Sequence, residues 1–154
     1  MEGIIKTQIN ARLGFTGGLL VFLLSTPSSW AGLIHNAALK GDMEAVERQL
    51  KLGVGVNALD EYGNTALHMA VQQDNDPYMV STLLRANANI NAVRKDGNTP
   101  LHLAVLLGGL CAVEILLDAN AVILVNKAGK TPLQLAIDRG YTDKIALLSI
   151  YQSR

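Results

Sequence analysis

One pattern recurs along this chain, and it limits the fold more than any other feature. Gly63-Asn-Thr-Ala-Leu-His-Met-Ala70, Gly97-Asn-Thr-Pro-Leu-His-Leu-Ala104 and Gly129-Lys-Thr-Pro-Leu-Gln-Leu-Ala136 superpose position for position, at a nearly constant period. A degenerate copy, Leu33-Ile-His-Asn-Ala-Ala38, places His35 one period before His68. A second apolar block keeps the same phase through Val46, Val80, Val113 and Ile145, each followed by leucines near Leu50, Leu83, Leu116 and Leu147. A unit this short cannot bury its own apolar side, so it must stack. Four copies exceed the three or so that such a stack requires.

Each copy carries local signals for two helices. Thr65, Thr99 and Thr131 are suited to cap a first helix, because their hydroxyls accept an orphan backbone N–H. Pro100 and Pro132 then take the first helical position, where no donor is needed. The first helix is expected to end near Asp74, Gly108 or Gly140. A second opens at Asp42, at Asp76-Pro77, near Gly109 or at Thr142. Gly53, Asn87 and Asn120 stand where a left-handed residue closes that second helix. Polar turns ending in glycine, Asp60–Gly63, Arg94–Gly97 and Asn126–Gly129, lead into the next copy.

With these residues in place the chain resembles the ankyrin-repeat family. Thr99-Pro100-Leu101-His102-Leu103-Ala104 matches the family signature in full, and Thr131-Pro132-Leu133-Gln134-Leu135-Ala136 differs at one place. The resemblance covers residues 32–154, as repeats at about 32–59, 60–93, 94–125 and 126–154. It implies an all-α solenoid of stacked helix-turn-helix units with short β-hairpin-like fingers. Repeat one lacks the Thr-Pro pair, repeat two has an extra residue around Asp74–Pro77, and repeat three's finger is one residue short. There Leu124-Val125 replaces the Asn-Ala seen at Asn57 and Asn91.

Residues 1–31 read differently. Lys6 and Arg12 precede an uncharged, mostly apolar run from Leu13 to Leu24, and Ser29 and Ala31 supply a small-x-small exit before Gly32. These are the parts of a secretory signal peptide. At roughly 1.5 Å per residue the run reaches about 18 Å, short of a hydrocarbon core of roughly 30 Å. The expectation is export to a periplasm or the exterior after cleavage between Ala31 and Gly32, with membrane contact only during passage. The alternative is an uncleaved N-terminal anchor.

Composition narrows the function. Thirteen basic residues balance thirteen acidic ones, so no net field draws nucleic acid or an anionic membrane. After position 31 there is no Phe or Trp, which leaves an aliphatic core and no platform for stacking bases. Cys111 is the single cysteine, so no disulfide closes within the chain. No catalytic triad, phosphate loop or zinc signature appears, and neither enzyme activity nor a cofactor is expected.

His35, His68 and His102 fall once per repeat. The resemblance implies repeats stacked about 10 Å apart, too far for imidazoles to share a zinc at about 2 Å. In the family this histidine bonds the Thr hydroxyl and nearby backbone. Thr65, His68, Thr99, Pro100, His102, Thr131 and Pro132 are therefore structural. The resemblance also implies that a protein partner, bound by a monomer, meets finger tips and the exposed side of the first helices. Carried over by position, the partner surface comprises Glu61, Tyr62, Asn64, Gln72 and Gln73 in repeat two. It continues through Lys95, Asp96, Asn98, Leu106 and Leu107 in repeat three, then Lys127, Lys130, Asp138 and Arg139. Tyr62 and the Leu106-Leu107 pair stand out, being the residue types that anchor interfaces. Three roles fit such a module: a general scaffold, an immunity-like or accessory factor for an exported toxin or enzyme, and a host-directed effector.

Overall fold

The computed structural model describes residues 27–72 and 77–153, with side chains from Gly32 onward. Eight helices occur among the described residues: α1 Pro27–Lys40, α2 Met43–Lys51, α3 Ala66–Ala70, α4 Pro77–Arg85, α5 Pro100–Leu107, α6 Leu110–Asp118, α7 Pro132–Arg139 and α8 Thr142–Gln152. They pair as α1/α2, α3/α4, α5/α6 and α7/α8. First helices pack in series, α1 on α3 on α5 on α7, and second helices follow, α4 on α6 on α8. This is the expected all-α stack of four units.

The local signals act where the sequence puts them. Asp42 accepts the Ala45 N–H at 2.9 Å and starts α2. Thr65 and Thr131 accept from the third residue of α3 and α7, and Pro100 and Pro132 sit at the first turn of α5 and α7. Gly53, Asn87 and Asn120 have φ of 86°, 62° and 62°. Around each, paired N–H groups return to carbonyls of the last turn, as in Asn87 to Leu84 and Ala88 to Leu83, both 3.0 Å. That is the Schellman closure.

Two elements depart from expectation. α3 closes at Ala70, with Val71 as its C-cap, rather than near Asp74. Residues 73–76 lie outside the described residues, and Gln73 and the Asp76 start signal lie there with them. The proposed cleavage point, Ala31/Gly32, falls inside α1, and residues 1–26 also lie outside the described residues. Among the residues of α1 whose side chains are described, burial begins at Ile34.

The core is aliphatic and continuous through the stack. Ile34, Val46, Leu67, Val71, Leu83, Leu101, Val105, Val113, Leu116 and Leu148 are fully buried. At about 25 cal/mol for each Å² of apolar area removed from water, each such side chain contributes about 1.5–3 kcal/mol. Gly108 marks the tightest approach. A Cβ there would stand 2.1 Å from the Val71 carbonyl oxygen, so the end of α5 touches the end of α3 backbone to backbone. Lys144 of α8 then donates to the carbonyls of Ala104, Val105 and Gly108 at 3.3, 2.8 and 2.6 Å. It caps the end of α5, which lacks a left-handed closure, adding a bond to the Ala104 carbonyl that already accepts from the Gly108 N–H and supplying a donor to those of Val105 and Gly108.

Candidate protein-binding surface

Fingers join one unit to the next. In the first, Asp60 Oδ1 accepts the N–H groups of Tyr62 and Asn64, both at 2.8 Å, and the Asp60 N–H returns to the Asn64 carbonyl at 2.9 Å. Partial burial by itself raises the Asp60 pKa, but bonds from Asn64 and Tyr62 outweigh it and hold the carboxyl below its ordinary value. In the third finger Asn126 takes the same part, accepting from Ala128 and Lys130 at 3.0 Å each. In the second, Asp96 accepts from Asn98 instead, and the same balance of burial against Asn98 and Arg94 lowers its pKa. Neighbouring fingers are bonded, Lys95 N–H to the Tyr62 carbonyl at 3.3 Å and Lys127 N–H to the Asp96 carbonyl at 3.2 Å.

The histidines tie each finger to the helix before it. Thr65 N–H donates to His68 Nδ1 at 3.1 Å, and Thr99 N–H donates to His102 Nδ1 at 3.1 Å. A backbone N–H can only donate, so Nδ1 is the acceptor and the ring proton sits on Nε2. From there it reaches the next finger: His35 to the Asn64 carbonyl at 2.7 Å, His68 to Asn98 at 3.3 Å and His102 to Lys130 at 3.2 Å. Burial lowers the pKa of His68 from 6.5 to about 4 and that of His102 in the same direction. Gln134 fills this position in repeat four and is exposed.

The surface residues sort cleanly. Tyr62 is 60% exposed and Leu107 55% exposed, while Leu106 beside it is partly buried. Glu61, Lys95, Asp96 and Arg139 are exposed. Gln72 is drawn back onto its own helix, its amide donating to the His68 carbonyl at 2.9 Å. Asn64, placed on the surface by position, is buried and spends its amide on Asp60 at 2.7 Å. Cys111 is exposed at the start of α6. Lys130 pairs with Asp138 at 3.2 Å.

The asparagine ladder shows where repeat three is short. Asn57 Oδ1 accepts the Asn89 N–H at 2.7 Å, and Asn91 Oδ1 accepts the Val122 N–H at 2.9 Å. Asn89 thus corresponds to Val122, while the finger bonds make Val93 correspond to Val125. One residue is therefore missing between them, no asparagine continues the ladder there, and Val125 occupies the place of Leu59 and Val93 rather than that of Ala58 and Ala92. These three side chains were not picked out from sequence. Counting back four positions from each finger glycine finds them.

Comparison with known proteins agrees with this geometry. The family model described as "Ankyrin repeats (3 copies)" matches residues 34–127 and 74–153. The chain is an ankyrin-repeat protein. A chicken (Gallus gallus) protein, the nuclear factor NF-kappa-B p105 subunit, is 32% identical over 111 residues, 69% of this chain and 11% of that protein. The chain therefore spans about a tenth of that relative's length. Ankyrin repeats are scaffolds for protein–protein interaction, in a family that generally binds rather than catalyses. No helix among the described residues of this ankyrin-repeat protein is long and apolar enough to cross a membrane.

Proposed function

We propose that this ankyrin-repeat protein is an exported, non-catalytic scaffold that binds a partner protein through its fingers and the inner ends of its first helices. One observation carries the reading. Tyr62 and Leu107 are more than half exposed on adjacent repeats, although Leu101, Leu103 and Val105 of the same helix as Leu107 are buried. Large apolar side chains left out of a core that takes their neighbours are the anchors an interface uses. Export rests on the basic start, the short apolar run and the small-x-small exit of residues 1–31. Cleavage after Ala31 keeps Ile34, Ala37 and Ala38, which are buried, with the repeats.

The test is retention of partner on the purified chain. Tyr62→Ala and Leu107→Asp each lower it at least tenfold, while stability stays within about 0.5 kcal/mol because both sites are on the surface. Lys127→Ala acts chiefly on the salt dependence. A partner retained equally by all three variants refutes the assignment of this face.

A further inference from the structure

Leu59, Val93 and Val125 are 58%, 55% and 61% exposed. Each stands one residue before the N–H that closes its finger: Asp60 onto Asn64, Arg94 onto Asn98, Asn126 onto Lys130. The three consecutive fingers therefore present one apolar side chain apiece from the same register position, and the bonds from Lys95 to Tyr62 and from Lys127 to Asp96 hold the fingers side by side. Each finger rides on a first helix, and helices packed in series stand about 8–10 Å apart, so the row repeats at about that interval. An α-helix brings side chains one heptad apart back to nearly the same side at intervals of about 10.5 Å. An extended strand does so about every 6.7 Å. The row fits a helix and misses a strand.

Charge gives the row a direction, although the chain as a whole is neutral. The finger of residues 58–64 holds Asp60 and Glu61 and no cation. The finger of residues 124–130 holds Lys127 and Lys130 and no anion. The middle finger pairs Arg94 with Asp96 at 3.1 Å and leaves Lys95 exposed, so the charge passes from acidic through weakly basic to basic along the row. Lys130 is balanced by Asp138, so Lys127 sets the sign at the basic end and Glu61, with Asp60 bonded into its own turn, at the acidic end.

We infer that the finger row docks an amphipathic helix of a partner protein. Apolar side chains one heptad apart lie on Leu59, Val93 and Val125, the cationic end lies over Glu61, and the anionic end lies over Lys127. This rests on the scaffold reading above and names the partner's chemistry.

The probe is a capped helical peptide of about six turns, with leucines one heptad apart, lysines in its first turn, glutamates in its last, and a nitroxide at its N-terminus. Bound to the isotope-labelled chain, it quenches the amide signals of Glu61 and Gly63. A mirror peptide, with glutamates first, lysines last and the label still N-terminal, quenches those of Lys127 and Gly129. Val93→Asp, and the near-isosteric Val93→Thr, each weaken binding of both peptides, Val93→Asp by about tenfold or more. Thermal melts of both variants match the parent because Val93 is on the surface. The inference is overturned if both peptides quench the same end, if neither peptide binds, or if both Val93 variants bind as the parent does. A captured protein partner lost through Tyr62→Ala while the peptides fail leaves the scaffold reading standing without a helical partner. A partner indifferent to Tyr62 and Leu107 removes both.

Discussion

Acidification loosens this stack in a window set by its buried histidines. His68 is fully buried, with Nδ1 facing the Thr65 N–H at 3.1 Å and Nε2–H on the Asn98 carbonyl. A second ring proton on Nδ1 faces the Thr65 N–H, a donor, and gives up that bond, with only the Thr65 hydroxyl at 2.9 Å left to turn and accept it. Burial is the largest cause of the lowered pKa, the Arg94 cation adds to it, and the carbonyls of Asn98 and Ala92 and the Asp96 carboxylate oppose it, leaving a value of about 4 against 6.5 ordinarily. Between these values the unfolded chain takes up a proton that the folded chain refuses. Stability is therefore full above about pH 6.5 and falls as the pH drops toward 4. At about 1.4 kcal/mol for each tenfold difference in proton affinity, His68 alone accounts for about 3 kcal/mol, a sizeable part of the 5–15 kcal/mol typical of a domain. His102 adds loss in the same direction. Asp60 and Asp96, whose pKa values are lowered, keep their contribution until the pH falls below the ordinary carboxylate range, so the two effects separate. Urea unfolding at a series of pH values from about 7.5 to about 4.5 reads the effect. With a slope of about 2 kcal/mol per molar, the His68 share moves the midpoint by about 1.5 M. His68→Gln is less stable at pH 7.5, yet its midpoint depends on pH far less. Parallel midpoint curves for the parent and His68→Gln refute the argument, as does a His68 ring signal that titrates near 6.5.

Three further outcomes are expected. Gly97 and Gly129 have φ of 85° and 71°, but a Cβ on Gly97 meets the Lys127 nitrogen at 2.5 Å, whereas one on Gly129 meets nothing within 4 Å. Gly129→Ala costs about 1 kcal/mol for the left-handed backbone alone, Gly97→Ala at least about 2, and equal thermal melts count against finger stacking. Lys144→Met removes three carbonyl bonds and lowers stability by about 2 kcal/mol, read by the same urea titration; an unchanged midpoint denies the capping role. Finally, protein recovered from an exporting host has the mass of residues 32–154 and no tryptophan emission, because Trp30 leaves with the leader. An intact mass refutes cleavage.

Much of this fold is legible because its signals are short-range. Thr65, Thr131, Gly53, Asn87 and Asn120 act on backbone groups within a few residues of themselves, so spacing alone places them. Lys144 was not legible: it crosses to carbonyls 36–40 residues away, and its sequence neighbourhood reads as an ordinary second helix. Asn64 misled for a related reason, since its burial depends on Asp60 and on His35, 29 residues earlier. The short finger of repeat three was visible as a missing residue, yet only the bonds to Asn57 and Asn91, with those that close the fingers, show that Val125 stands in the place of Val93. Gln134 looked like a lapse in the signature. In the structure its side chain is exposed, where the histidines of the three preceding repeats are buried.

The bond from a histidine in one unit to a finger carbonyl in the next is the same at all three junctions, and it always runs in one direction. A junction of that kind does not specify which unit comes next. An additional copy of residues 94–125 set in after Val125 meets the donor it requires in His102 and offers its own histidine to the finger at Asn126. Apolar faces on either side are already shaped for each other. The length of recognition surface is thereby separated from the problem of folding. A tandem duplication in the gene widens what the protein can grasp without a new core having to be invented, and loss of one copy shortens its reach while leaving the remainder intact.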